Sequence, residues 1–207
     1  MDKMQKLILP ACYLPPVSYF ATVIRHQDRE LLIEQYEHFP KQTYRNRTSI
    51  LGANGKLDLY IPVKKGKMGH TIMKDVRISY DADWQRLHWM SLQTAYRSSA
   101  YFEYYEDDFA RFYNEKFEFL LDFNLELTRL ILRQLKMDRE FGLTESYHAE
   151  YPGQLDFRDS IHPKKPLVTV PKPYYQVFSD RFEFVPDLSI ADLLFNQGPR
   201  SSEYLLG

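Results

Sequence analysis

His88 stands one helical turn after Trp84 and beside Trp89 in DWQRLHWMSLQTAY. Histidine is the side chain whose ordinary pKa lets it take up and release a proton near neutral pH, so His88 is the candidate general base, with Trp84 and Trp89 as stacking walls. A core histidine with both nitrogens satisfied would leave the same trace. A second cluster runs through QYEHFPKQTYRNR, where Tyr36, Phe39 and Tyr44 alternate with Lys41, Arg45 and Arg47, joined by His38 and Asn46. Rings and cations together supply the stacking surfaces and anion donors that a sugar or nucleotide site requires. The single cysteine, Cys12, excludes an internal disulfide and a thiolate zinc cluster. It would be a nucleophile if a helix N-terminus or a cation lowered its pKa, and a buried structural thiol otherwise. Asp107 and Asp108 point in different directions on a helix and make no acid–base pair. No His or Glu spacing suits a metal, and the sequence assigns no cofactor.

Charge narrows the partner class. Lys41 to Arg77 holds nine Lys or Arg against two acids, whereas Tyr101 to Glu126 holds eight acids against two bases, within a formal net charge of −1. A basic segment without a basic whole argues against bulk nucleic-acid binding and suits a small phosphorylated ligand, although the two segments could also pair with each other or be solvated faces. No run of about 18 apolar residues exists to span a membrane. The start MDKMQKLILPA lacks the pattern of a signal peptide, which makes the cytoplasm the expected compartment.

These groups need a frame. Leu7, Ile8 and Leu9 form a buried-strand signal that Pro10 ends, and Pro15 and Pro16 suit the first turn of a helix whose buried stripe is Val17, Phe20, Ala21 and Ile24. The elbow between them, Ala11 to Leu14, sits beside a helix N-terminus at the carboxyl end of a strand, a frequent ligand position in α/β folds. Glu30 to Glu34 reads as a second strand. Asn54-Gly55 marks a hairpin over Ser49 to Val63 that would extend the sheet, and Val76 and Ile78 suggest a further strand over Asp75 to Tyr80. Lys64 to Lys74 reads as a glycine–lysine loop, either a lid or a plain connector.

From Asp81 the period becomes 3.6, with Asp81 or Asp83 as N-cap and an apolar line of Trp84, Leu87, Leu92, Ala95 and Tyr96. Gln85, Trp89, Gln93 and Tyr96 make a second line that resembles a binding wall. Helices follow over Phe102 to Tyr113 and Phe117 to Met137. Gly142 to Pro173 is a proline-rich loop, and Ser189 with Asp192 forms a capping-box signature, with a Leu188–Leu193 staple, for a last helix that Gly198-Pro199 stops.

The chain resembles the WbqC-like protein family over nearly its whole length. The resemblance rests on Tyr13-Leu14-Pro15 followed by Tyr19-Phe20, on Phe39-Pro40-Lys41 and Tyr44-Arg45-Asn46-Arg47, and on Leu59-Tyr60-Ile61-Pro62-Val63. Trp84 with His88-Trp89, Ala95-Tyr96 with Tyr101-Phe102, and FVPDLSIADLLFNQGP continue it. The chain has Pro10-Ala11 where much of the family has Gln-Pro, and Lys41-Gln42, Tyr44, Arg45-Asn46-Arg47 and Thr48 where many members have Lys-Arg, an aromatic residue and Gln-Asn-Arg-Asn. Membership implies a part in bacterial surface-polysaccharide biosynthesis, with acyl or aminoacyl (glycyl) transfer to an amino sugar as the implied reaction.

The expectation is therefore one α/β domain over 1–207, with a mixed sheet of four or five strands in 1–80 behind a strand–elbow–helix start, and a helical C-terminal half over 81–207. A crevice forms where elbow meets helices. Tyr13, Lys41, Arg45, Asn46, Arg47, Trp84, Trp89, Gln93 and Tyr96 bind a nucleotide- or carrier-linked sugar there, and His88, open to solvent and within about 10 Å of Tyr13, Lys41 or Arg47, carries the proton. The competing reading is a non-enzymatic module that binds a sugar or nucleotide or organises partner enzymes.

Overall fold

A computed structural model describes residues 5–64 and 71–206. Strand β1 (Lys6–Pro10) and strand β2 (Glu30–Glu34) pair in parallel, Leu7 opposite Leu31 and Leu9 opposite Ile33, and helix α1 (Val17–Arg25) makes the crossover between them. Their apolar runs are buried on both faces, which is why these strands read as continuous rather than alternating. Helix α1 starts only after both prolines: Pro16 is its N-cap in extended backbone, and Ile24 is only half-buried.

The sheet is completed from far along the chain. Strand β5 (Gly142–Leu143) joins the free edge of β2 and strand β6 (Leu155–Asp156) joins that of β1, giving the order β5-β2-β1-β6, parallel throughout. With both edges occupied, the hairpin of β3 (Arg47–Gly52) and β4 (Gly55–Tyr60) cannot extend this sheet and stands as a separate antiparallel pair. The expected mixed sheet is thus a four-stranded parallel sheet plus a hairpin, and two of its strands lie inside the segment read as loop. A Cβ at Gly142 would stand 2.9 Å from Leu32 Cδ2, so glycine lets β5 approach. The strand expected over Asp75 to Tyr80 reduces to lone bridges, Val63 with Ile78 and Arg77 with Phe119, after a 3-10 turn at Met73–Asp75. Most of the Lys64 to Lys74 loop lies outside the described residues.

The C-terminal half is helical: α2 (Trp84–Tyr96), α3 (Phe102–Asn114), α4 (Leu120–Gln134), α5 (Ile190–Gln197) and α6 (Ser201–Leu205). In α2 the line Trp84, His88, Leu92 and Ala95 faces the core, while Leu87, expected inside, is exposed. Phe102, Phe109 and Tyr96 pack their rings around Phe195 of α5. Ser189 caps α5 by accepting from the Ala191 amide, but Asp192 does not close the box. Its carboxylate turns inward to accept from Tyr174 Oη at 2.7 Å and Gln176 Nε2 at 2.9 Å, tying the segment before α5 to the core.

Candidate functional site

The elbow after β1 is closed rather than open. Leu188 and Asp187 occupy the N-terminus of α1: the Val17 amide donates to the Leu188 carbonyl at 3.0 Å, and the Ser18 amide and hydroxyl donate to the Asp187 carboxylate at 2.7 and 3.0 Å. The orphan donors that make a helix start attractive to anions are thereby satisfied from within the chain. Leu14, at a φ of 39°, is fixed by its carbonyl, which accepts from the hydroxyls of Thr48 and Ser189. Every residue from Ala11 to Pro16 is buried, so the crevice expected here is filled.

His88 meets Tyr13, as its spacing expected, but is not open to solvent. Its Nδ1 lies 2.9 Å from Tyr13 Oη, which lies 3.0 Å from Tyr113 Oη, and the ring is 5% exposed. His88, Tyr13 and Tyr113 thus form one buried hydrogen-bonded chain. Burial lowers the His88 pKa from 6.5 to about 4 and keeps it neutral, and burial also pushes Tyr13 well above its ordinary value. Trp84 packs edge-on against His88 at 5.1 Å, whereas Trp89 turns to Phe102 and Tyr113. Tyr96 is buried against Phe195, and Gln93 donates to Glu106 at 2.9 Å.

The basic segment is likewise committed to the fold. Read as a cluster of rings and cations that meets a ligand, it is instead buried at Glu37, Thr43, Tyr44 and Arg45. Arg45 donates from Nε and Nη2 to the two Glu37 oxygens, both at 2.9 Å, and Arg47 donates to Asp58 at 2.5 Å while its guanidinium lies over Tyr60. Asn46 Nδ2 donates to the Ile61 carbonyl at 2.9 Å; Lys41 alone of the four is exposed. The segment becomes buried because Arg45 finds a carboxylate eight residues back.

What the fold does assemble lies at the carboxyl edge of the parallel sheet, where open α/β sheets place ligands. Glu34, the last residue of β2, is fully buried. Its carboxylate accepts from Thr144 Oγ1 just past β5 at 2.8 Å, from Tyr151 Oη at 3.2 Å, and from Arg158 Nη1 at 3.1 Å. Arg158, two residues past β6, also donates from Nη2 to Asp156 at 2.6 Å, and its guanidinium lies over the Tyr151 ring at 4.7 Å. The Arg158 carbonyl accepts from Arg45 Nη2 at 2.9 Å, which joins the Glu34–Arg158 and Glu37–Arg45 pairs into one network. Burial raises the Glu37 carboxyl above its ordinary value, with Arg45 pulling the other way. On the rim, Lys164 donates to Gln42 Oε1 at 3.0 Å, and burial together with Lys165, Arg45 and Lys164 lowers the His162 pKa. A cationic rim can take an anionic group from solvent.

Arg158, His162, Lys164 and Lys165 lie in the segment read only as a proline-rich loop, and the sequence did not single out Glu34, Glu37, Thr144, Tyr151 or Asp156. One signal was available: Glu34 ends an otherwise apolar strand, where a charge buried by its neighbours needs a partner. Among the described residues no group of three or more His, Cys, Asp or Glu side chains is placed to hold a metal ion.

Cys12 lies near Arg45 and Glu37 but is fully buried, and burial pushes its thiol up to about 12, leaving almost no thiolate at neutral pH. A thiol-specific disulfide reagent is therefore expected to titrate no cysteine in the native protein and one after denaturation. Rapid native labelling would restore a nucleophilic role.

A protein-family model described as the WbqC-like protein family matches residues 11–158. No curated protein and no solved structure matches the chain.

Proposed function

Because the chain belongs to the WbqC-like protein family, we propose that it serves the making of bacterial surface polysaccharide by acting on a nucleotide- or carrier-linked sugar at the carboxyl edge of its parallel sheet. The reaction is transfer of an acyl or aminoacyl group, with glycyl as one case, to the amine of an amino sugar. One observation carries the choice of site: four parallel strand ends converge on two joined, buried Arg–carboxylate pairs beneath a rim of His162, Lys164 and Lys165. In that reading the rim lysines, with Lys41 next to Gln42, hold the phosphate charge of the sugar's carrier. The amine nitrogen attacks the acyl carbon, the new amide bond forms as the acyl group leaves its carrier, and the amine proton passes to a base.

The second reading, a module that binds the sugar without turning it over, draws support from His88. Buried and with Nδ1 engaged by Tyr13, its imidazole is closed to a substrate. Thermal-shift screening against nucleotide-linked amino sugars, acyl carriers and amino acids, followed by mass analysis of the sugar product, separates the two. A ligand at about 100 times its Kd adds about 2.7 kcal/mol of stability. The transferase reading expects a stabilising sugar whose mass rises by one acyl group, and at least tenfold weaker binding in Lys164→Ala/Lys165→Ala. Stabilisation without any product favours the module, and no stabilisation by any class overturns both.

A further inference from the structure

A cavity of about 570 Å³ lies away from the carboxyl edge, between the C-terminal half of α4 and the segment Met137–Phe141 that leads into β5. We propose that it is a second ligand site and that it takes a nucleoside diphosphate. Its volume falls within the range of small-molecule and cofactor pockets. Three guanidiniums line it, and they differ in how far the fold uses them. Arg129 is held by Glu126, donating from Nη1 at 2.6 Å, and lies 4.9 Å over the Phe141 ring, so the two make an ordered planar surface suited to stacking a base. Arg133 is exposed and has no carboxylate partner among the described residues. Arg139 donates from Nη2 to the Arg29 carbonyl at 2.6 Å, but its Nη1 is buried with no hydrogen-bond partner.

The helix dipole gathers cations at a helix C-terminus, but Arg139 comes from outside α4, on the segment that forms the facing wall of the cavity. Phosphate oxygens would meet the unpaired Arg133, with Arg139 adding charge beside it, and Leu132 and Met137 supply apolar wall. Asp138 and Glu140, exposed on the same segment, are acceptors for the hydroxyls of a ribose, and they disfavour a bare multivalent anion. This inference does not rest on the carboxyl-edge reading, since it uses none of the same side chains.

Isothermal titration of the full chain with uridine diphosphate, inorganic pyrophosphate and uridine tests it. The diphosphate nucleoside is expected to bind at least tenfold more tightly than either fragment. Arg133→Ala, an exposed position whose loss leaves folding intact, is expected to weaken it at least tenfold, as is Arg139→Met. Absence of binding, or equal binding in Arg133→Ala, overturns the assignment.

Discussion

Arg158→Met is expected to destabilise the protein by about 3–5 kcal/mol, because it keeps the aliphatic stem and leaves a buried carboxylate without its counter-charge. Glu34 is fully buried, and its other partners, Thr144, Tyr151 and the Tyr36 amide, are neutral donors that cannot neutralise it. For a chain of this size such a loss lowers the melting temperature by about 10 °C. Pairing the change with Glu34→Gln removes the stranded charge, so the double variant is expected to be more stable than the sum of the single losses requires, with a coupling of about 2 kcal/mol or more. Urea unfolding of the four proteins measures it. Additive single effects, each below about 1 kcal/mol, would mean that solvent reaches Glu34 and that the network is an exposed one.

The second large effect is in acid. His88 titrates at about 4 in the folded protein against 6.5 in the open chain. Between those values the unfolded state binds the extra proton, so stability rises with pH across the window, is fully present above 6.5, and is lost as pH falls towards 4. At about 1.4 kcal/mol per pH unit the interval is worth roughly 3 kcal/mol. In His88→Gln the amide can keep a hydrogen bond to Tyr13, so the fold is expected to persist with this part of its acid sensitivity removed. Denaturant midpoints at pH 4.0 and 7.0 should therefore differ less in the variant than in the parent, and identical pH profiles would show that the imidazole reaches water. The same variant bears on catalysis: a transferase routing its proton through His88 loses turnover in it, whereas a structural histidine does not.

What could be read from the chain followed the range of the interactions. The strand–elbow–helix start and the second strand were legible because each is fixed by residues within one element, Leu7 to Leu9 before Pro10 and Leu31 to Ile33 between charges. The hairpin was legible because Asn54-Gly55 falls at its turn, which the Gly52–Gly55 pair closes. Strands of two residues, β5 and β6, leave no period to detect, and they form only because β2 and β1 offer edges. The site failed for the same reason. Cationic, aromatic spacing in Tyr44 to Arg47 says that donors are present, but only the fold brings Glu37 and the Arg158 carbonyl to Arg45, turning an apparent ligand contact into a buried tie. Trp84 and Tyr96 read as walls because a ring is amphipathic in sequence, and packing decides that both face the core.

The sheet order also sets a problem for biosynthesis. Its two central strands leave the ribosome well before the strands that cover their edges, Leu7 waiting for Leu155 and Leu32 for Gly142. At about 5–20 residues per second the interval is on the order of ten seconds. Throughout it the nascent chain carries an apolar two-stranded ribbon with unpaired amides on both sides, the kind of template on which another growing chain can add. Yield of the protein in the cell should thus depend on holding factors that shield emerging strands, and more steeply at high expression than the stability of the finished fold would suggest.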